Sequence, residues 1–166
     1  MRRDKAVKYF RLAQTLAELF SKDPSTKVGA ILLAPGSLQV LSLGYNGMPR
    51  RIDEAVAARW ERPAKYRYVE HAERNALFNA CRHGTPVEGS VAVITLFPCC
   101  DCARALIQSG VAEVVAPAPD MADARWGADF AVAMEMFVES GTALVLLSAA
   151  EASGAPGACC APPAGA

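Results

Sequence analysis

Four residues in two short motifs have the types and spacing needed for metal-assisted hydrolysis. His71 and Glu73 lie two residues apart, and Cys99 and Cys102 form a C-x-x-C pair directly after Pro98. One imidazole and two thiolates fill three of the four tetrahedral positions that Zn²⁺ prefers, which leaves one position open for water. A carboxylate near such a water can move protons, so Glu73 is the candidate general base and acid. The motifs therefore predict a catalytic zinc site, since a structural site closes with four protein ligands.

The other cysteines and the second histidine do not complete this site. Cys100 stands between the two ligand cysteines and is predicted to point elsewhere, in a structural role. Cys81 and His83 lie roughly two to three helical turns beyond His71, too far to share its ion. The six cysteines do not form a disulfide framework, so we expect a reducing, cytoplasmic compartment.

Hydrophobic periodicity places both motifs where a helix begins. The predicted elements are helices at 4–20, 70–82, 99–109 and 128–139, and strands at 28–33, 39–43, 91–96, 113–116 and 143–147. A short turn between the first two strands predicts an antiparallel hairpin. A helix between the last two strands indicates a parallel crossover. The N-termini of the helices would favour thiolates and other anions at the site.

The overall composition indicates which size of domain and which kinds of partner to expect. Its 166 residues predict one compact α/β domain at 1–147, followed by an Ala/Gly/Pro-rich tail at 148–166 that we expect to be disordered. The formal net charge is zero, whereas nucleic-acid binding favours a basic field. No window of about eighteen uninterrupted apolar residues predicts a membrane span.

One segment is more basic than the chain as a whole. Residues 50–67 contain six Arg or Lys against three Asp or Glu. This run fits either a solvated face or a surface that contacts phosphate, and the sequence leaves both open.

The pattern H-x-E followed by P-C-x-x-C is the signature of zinc nucleobase deaminases, and the chain resembles the deoxycytidylate (dCMP) deaminase family of the cytidine deaminase-like superfamily. The resemblance spans about residues 5–147. Its segments are Ser21-Lys22-Asp23-Pro24, Val28-Gly29-Ala30, Gly44-Tyr45-Asn46-Gly47-Met48-Pro49, Tyr68-Val69, His71-Ala72-Glu73, Asn75-Ala76, Leu96-Phe97-Pro98-Cys99, Cys102-Ala103 and Leu106-Ile107-Gln108. It implies a three-layer α/β/α fold with a five-stranded mixed sheet in the order 2-1-3-4-5, and a homo-oligomer.

The resemblance also implies a substrate and roles for single residues. The reaction would convert dCMP to dUMP and ammonia, with Glu73 passing protons from water to ring N3 and to the leaving amine. Asn46 would contact the sugar and phosphate side, and backbone groups near Ala72 would hold the edge of the base. Arg50 has the fork geometry to bind a phosphate bidentately. Trp126 would either stack on the base or pack at the sheet edge.

Two segments depart from the family pattern and leave the substrate open. Arg50-Arg51-Ile52-Asp53 replaces a glycine and an acidic stretch, and residues 116–127 replace an aromatic and acidic segment. The alternatives are a deaminase of a nucleoside, a free base or tRNA adenosine, and a non-catalytic, zinc-stabilised nucleotide-binding module. The zero net charge disfavours the tRNA substrate, and the presence of Glu73 disfavours the module without catalysis.

Overall fold

The structure is a computed structural model that describes residues 1–153. Its helices are α1 (Arg3–Phe20), α2 (Lys65–Tyr68), α3 (Ala72–Arg82), α4 (Cys100–Gln108), α5 (Gly127–Glu139) and α6 (Ala149–Ala152), with a 3₁₀ turn at Ala57–Arg59. Its strands are β1 (Gly29–Leu33), β2 (Val40–Tyr45), β3 (Val91–Ile94), β4 (Glu113–Pro117) and β5 (Ala143–Leu147). Among these residues, no helix combines the length and the apolar character needed to cross a membrane.

The five strands form one mixed sheet in the order β2-β1-β3-β4-β5. Strand β1 is antiparallel to both β2 and β3, while β4 is parallel to both β3 and β5. Helices α4 and α5 make the two crossovers between the parallel strands, as such connections require. The predicted strand order and the parallel last pair are therefore confirmed.

Helices cover both faces of the sheet because successive strand side chains point to opposite sides. On β1, Ile31 and Leu33 pack with buried residues of α1, whereas Ala30 and Leu32 pack with those of α3, α4 and α5. This gives the three layers predicted from the sequence. The two catalytic motifs lie in the layer of α3 and α4.

Helix α3 lies unusually close to strand β2. A Cβ atom built on Gly44 would come within 2.1 Å of the carbonyl oxygen of Ala72 and 2.4 Å of the nitrogen of Ala76. Ser42 also donates a hydrogen bond from Oγ to the carbonyl oxygen of Ala76, at 2.7 Å. The start of α3 is therefore fixed against the sheet by backbone contact as well as by side-chain packing.

The observed bounds differ from the predicted ones near the site. Helix α3 begins at Ala72 rather than at residue 70, because Glu70 forms an isolated β-bridge with Gly47. The nitrogen of Glu70 donates to the oxygen of Gly47 at 2.9 Å, and the reverse bond is 3.1 Å long. This bridge joins the Gly-Tyr-Asn-Gly loop to the chain just before His71.

The beginning of the predicted tail is helical. Residues 148–153 were expected to belong to a disordered segment, but a capping box between Ser148 and Glu151 starts α6. Arg3 then donates two hydrogen bonds of 2.6 Å to the carboxylate of Glu151, which joins α6 to α1. The rest of the predicted tail, residues 154–166, lies outside the described residues.

Candidate active site

The three predicted metal ligands meet at the N-termini of two helices. His71 is the N-cap of α3, Cys99 is the N-cap of α4, and Cys102 follows in the first turn of α4. Nδ1 of His71 lies 3.4 Å from the sulfur of each cysteine, and the ligand atoms all lie within 4.8 Å of one another. Ligands about 2.0–2.3 Å from a tetrahedral zinc ion stand roughly 3.4–3.8 Å apart. The arrangement therefore fits zinc.

The acid–base properties of the two thiols also fit a divalent cation. Hydrogen bonds from Cys102 and His71 lower the pKa of Cys99 to about 4, although burial opposes this change. The pKa of Cys102 is raised by its hydrogen bond to Cys99 and by burial. Two thiolates can coexist here once a metal ion neutralises them.

Glu73 lies where a proton-transferring group is needed. Its side chain lines an inner cavity of about 40 Å³ together with His71 and Cys99, and the residue is only 4% exposed. Burial raises the pKa of Glu73, while a positive charge on His71 acts in the opposite direction. A buried carboxyl group with a raised pKa is suited to general acid–base catalysis.

Cys100 is held away from the metal ligands. Its sulfur donates to the carbonyl oxygen of Asp129 at 3.1 Å, and its backbone nitrogen donates to Oδ2 of the same residue at 2.8 Å. These bonds join the start of α4 to the start of α5. The structural role predicted for Cys100 agrees with this geometry.

Trp126 forms one wall of the site. It lines the inner cavity and an outer cavity of about 80 Å³ that also contains His71. Its indole stands edge-on to the His71 ring with centroids 6.4 Å apart, and it stacks on Phe130 at the same distance. The side chain therefore lines the site and packs against α5, while stacking of the indole on a base stays a prediction.

Asn46 supports the wall of the outer cavity through a saturated hydrogen-bond network. Its Oδ1 atom accepts from the nitrogen of Val28 at 2.8 Å and from Oγ of Ser21 at 2.7 Å. Its Nδ2 atom donates to Asp23 at 3.0 Å and to the carbonyl oxygen of Thr26 at 2.8 Å. These four bonds use the full hydrogen-bonding capacity of the amide and hold the wall of the cavity in place. A contact of Asn46 with the sugar and phosphate side of a substrate stays a prediction.

The other two predicted contact residues differ in where they lie. Ala72 is completely buried at the first position of α3, directly beside His71. Arg50 donates to Oδ1 of Asn79 at 2.6 Å and lines a separate cavity of about 600 Å³ that contains none of the metal ligands. The structure therefore brings Ala72 to the site and leaves Arg50 outside it.

A buried ion pair beside the metal site was not predicted from the sequence. Nζ of Lys65 lies 2.7 Å from the carboxylate of Asp23 and donates to Oγ of Ser25 at 2.5 Å. Burial opposes ionisation of Asp23, but bonds from Lys65 and from two backbone nitrogens lower its pKa. Both charged residues line the outer cavity. In the sequence, Lys65 is one of several basic residues between positions 50 and 67. Nothing in that run distinguishes the buried Lys65 from its exposed neighbours.

Known proteins are similar in sequence to most of this chain. Residues 3–118 match the family described as the cytidine and deoxycytidylate deaminase zinc-binding region. An uncharacterized deaminase from Aliivibrio fischeri is 35% identical over 144 residues, which cover 86% of this chain and 92% of that protein. Human deoxycytidylate deaminase is 39% identical over 113 residues, which cover 64% of this chain and 61% of the human protein.

A solved structure has the same fold. The dCMP deaminase from cyanophage S-TIM5, in complex with dCMP and dUMP, superposes with a TM-score of 0.70. The superposition covers 89% of this chain and 99% of the phage chain, at 23% sequence identity. At that identity the likeness concerns the fold alone.

Proposed function

Since the chain belongs to the cytidine and deoxycytidylate deaminase zinc-binding family, we propose that it is a zinc-dependent hydrolase that converts dCMP to dUMP and ammonia. The observation that carries the proposal is the cluster of His71, Cys99 and Cys102 beside the buried carboxyl group of Glu73. The identity to human deoxycytidylate deaminase, which is 39% over 113 residues, supports dCMP as the substrate.

The residues of the site divide the work between binding and proton transfer. Zinc held by His71, Cys99 and Cys102 supplies a Lewis acid that makes water nucleophilic near neutral pH. Glu73 accepts a proton from water in the inner cavity and delivers it to ring N3. It then takes the proton of the hydroxyl group newly bonded to C4 and delivers it to the amine, which departs as ammonia and leaves a carbonyl group at C4. Phe97, Trp126 and Phe130 give this cavity apolar walls, which exclude bulk water and strengthen the electrostatic interactions within it.

The proposed function is tested by the release of ammonia from a panel of substrates. Zinc-loaded protein would be assayed with dCMP, CMP, dCTP, deoxycytidine, cytidine, cytosine and guanine. We expect the highest kcat/KM with dCMP. Activity confined to an unphosphorylated base would contradict the proposal, and binding of dCMP without turnover would favour a non-catalytic module.

We also propose that the protein is a cytoplasmic homo-oligomer. The zinc ligands must remain reduced thiols, which favours a reducing compartment. The face of α5 exposes apolar side chains, among them Val138 at 70% and Val132 at 48%, and such side chains are suited to contact a second copy. Light scattering coupled to gel filtration would detect the oligomer, and a monomer at micromolar concentration would contradict it.

A further inference from the structure

The outer cavity beside His71 has an unusually cationic lining. Arg62, Lys65 and Arg125 all line it, and Asp23 is the only acidic residue among its lining residues. The positive charge of Lys65 is neutralised by its buried ion pair with Asp23. The positive charge that remains on this wall therefore comes from the two arginines.

Both arginines present unengaged guanidinium groups. Arg62 and Arg125 are exposed, and neither side chain forms a hydrogen bond or an ion pair with another group among residues 1–153. Arg125 is nevertheless held in place through its backbone. Oδ1 of Asp123 accepts hydrogen bonds of 2.8 Å from the nitrogens of both Arg125 and Trp126. A fixed backbone with a free guanidinium suits a residue whose partner is a ligand.

The outer cavity continues directly from the inner one. The two cavities share Val28, His71, Leu96 and Trp126 as lining residues. A pyrimidine placed with its amine beside His71 and Glu73 in the inner cavity would therefore extend its sugar and 5′ substituent into the outer one. That substituent then meets the side of the cavity formed by the exposed residues Arg62 and Arg125.

The side chains of Arg62 and Arg125 have room to adjust to a ligand. The two arginines are exposed and have no bonds to break, so they can move aside and then close on the ligand. Arg50 differs from them, because it is bonded to Asn79 and lines the 600 Å³ cavity instead.

We propose that Arg62 and Arg125 together bind the 5′-phosphate of the substrate and so make the enzyme select nucleotides over nucleosides. The inference rests on the proposed function and deepens it. Guanidinium groups match the geometry of phosphate oxygens and bind them bidentately. Neutral substitution should therefore remove binding energy only for ligands that carry the phosphate.

The test compares Arg62→Gln, Arg125→Gln and the double variant with the unchanged protein. Each variant, loaded with zinc, is assayed with dCMP and with deoxycytidine. We expect each single change to lower kcat/KM for dCMP about tenfold to hundredfold, mainly through KM, as expected for one lost charge-assisted interaction. We expect kcat/KM for deoxycytidine to remain unchanged.

A binding measurement and two further variants guard against indirect effects. Calorimetry with dUMP and with deoxyuridine should show weaker dUMP binding in the variants and equal deoxyuridine binding. Arg125→Lys should restore only part of the loss, because it keeps the charge and removes the fork. Arg82→Gln, which removes an exposed charge at the far end of α3, should behave as the unchanged protein does.

The possible results separate this inference from the proposed function. A preference for dCMP over deoxycytidine that disappears in the double variant supports both. A preference that survives in the double variant overturns the phosphate role and leaves the dCMP deaminase function standing. Equal losses for dCMP and deoxycytidine also overturn it, since they indicate damage to the whole site. An unchanged protein that acts on neither compound overturns the proposed function and this inference with it.

Discussion

The catalytic centre and the wall of the substrate cavity are built in different ways. His71, Cys99 and Cys102 stand at the N-termini of α3 and α4, two helices that pack on the central sheet. The wall is made of residues from the segments before α3 and α5, among them Arg62, Lys65, Arg125 and Trp126. A centre on regular elements holds its geometry, whereas a wall made of connecting segments can vary in sequence and set specificity. Substitutions in the catalytic centre and in the wall should therefore differ in their effects on kcat, KM and stability.

The largest effect should come from the centre. We expect Glu73→Gln to lower kcat about 10²–10⁴-fold, the range contributed by general acid–base catalysis. The glutamine has nearly the same shape, so zinc content and melting temperature should be retained. Stopped assays of dUMP formation and metal analysis would check both expectations. Glu135→Gln, on the exposed face of α5, is the matched control. An undiminished rate in Glu73→Gln would exclude Glu73 as the proton-transferring group.

The buried ion pair between Lys65 and Asp23 lies in the wall and should also stabilise the whole fold. Lys65→Met leaves the carboxylate of Asp23 buried without its partner, and loss of one member of such a pair costs about 3–5 kcal/mol. Urea unfolding would measure the change in the free energy of unfolding. Lys22→Met serves as the control, because its ion pair with Glu54 is exposed. If both variants lost equally little stability, the Lys65–Asp23 contact would not be a stabilising element.

Substitution of Trp126 tests whether this part of the wall binds the substrate or only packs against the rest of the fold. Stacking of a base on an aromatic ring contributes about 1–3 kcal/mol, so Trp126→Leu should raise KM for dCMP by about fivefold to hundredfold. Phe130→Leu is a matched comparison, since Phe130 is the aromatic partner of Trp126 in α5. A drop in melting temperature in Trp126→Leu with KM unchanged would assign the indole to packing alone.

The smallest effect should come from a contact far from both regions. Bonds from Arg3 and from Ser148 lower the pKa of Glu151 to about 2 from its ordinary 4.5. Because the pKa is lower in the folded state, this group stabilises the fold above pH 4.5 and loses that contribution as pH falls towards 2. Glu151→Gln should therefore slightly lower the melting temperature at pH 7 and change nothing near pH 2. Thermal unfolding at several pH values measures this difference, and a shift of equal size at both pH values would contradict it.

The metal centre and the individual strands could be predicted because they depend on local signals, whereas the strand order was implied by the resemblance to the dCMP deaminase family. The C-x-x-C spacing brings two sulfurs to one turn of helix, and the helical and strand periods place that turn beside the sheet. The cavity wall depends on contacts between residues far apart in the chain. Lys65 meets Asp23 across 42 positions, and no periodicity encodes such a pairing. Arg50 shows the same limit, since its chemistry suits phosphate binding but its hydrogen bond to Asn79 lies in a different cavity.

The missing side chain at Gly44 has a consequence for metal affinity. Strand β2 and helix α3 touch through backbone atoms there, so the strand sets the height at which His71 stands above the sheet, while the two thiols belong to α4. A single added methyl group at position 44 would lift one ligand away from the other two without altering any of the three. In a metal titration, Gly44→Ala would therefore behave as though a ligand had been lost, although the substitution lies on a different element of the fold.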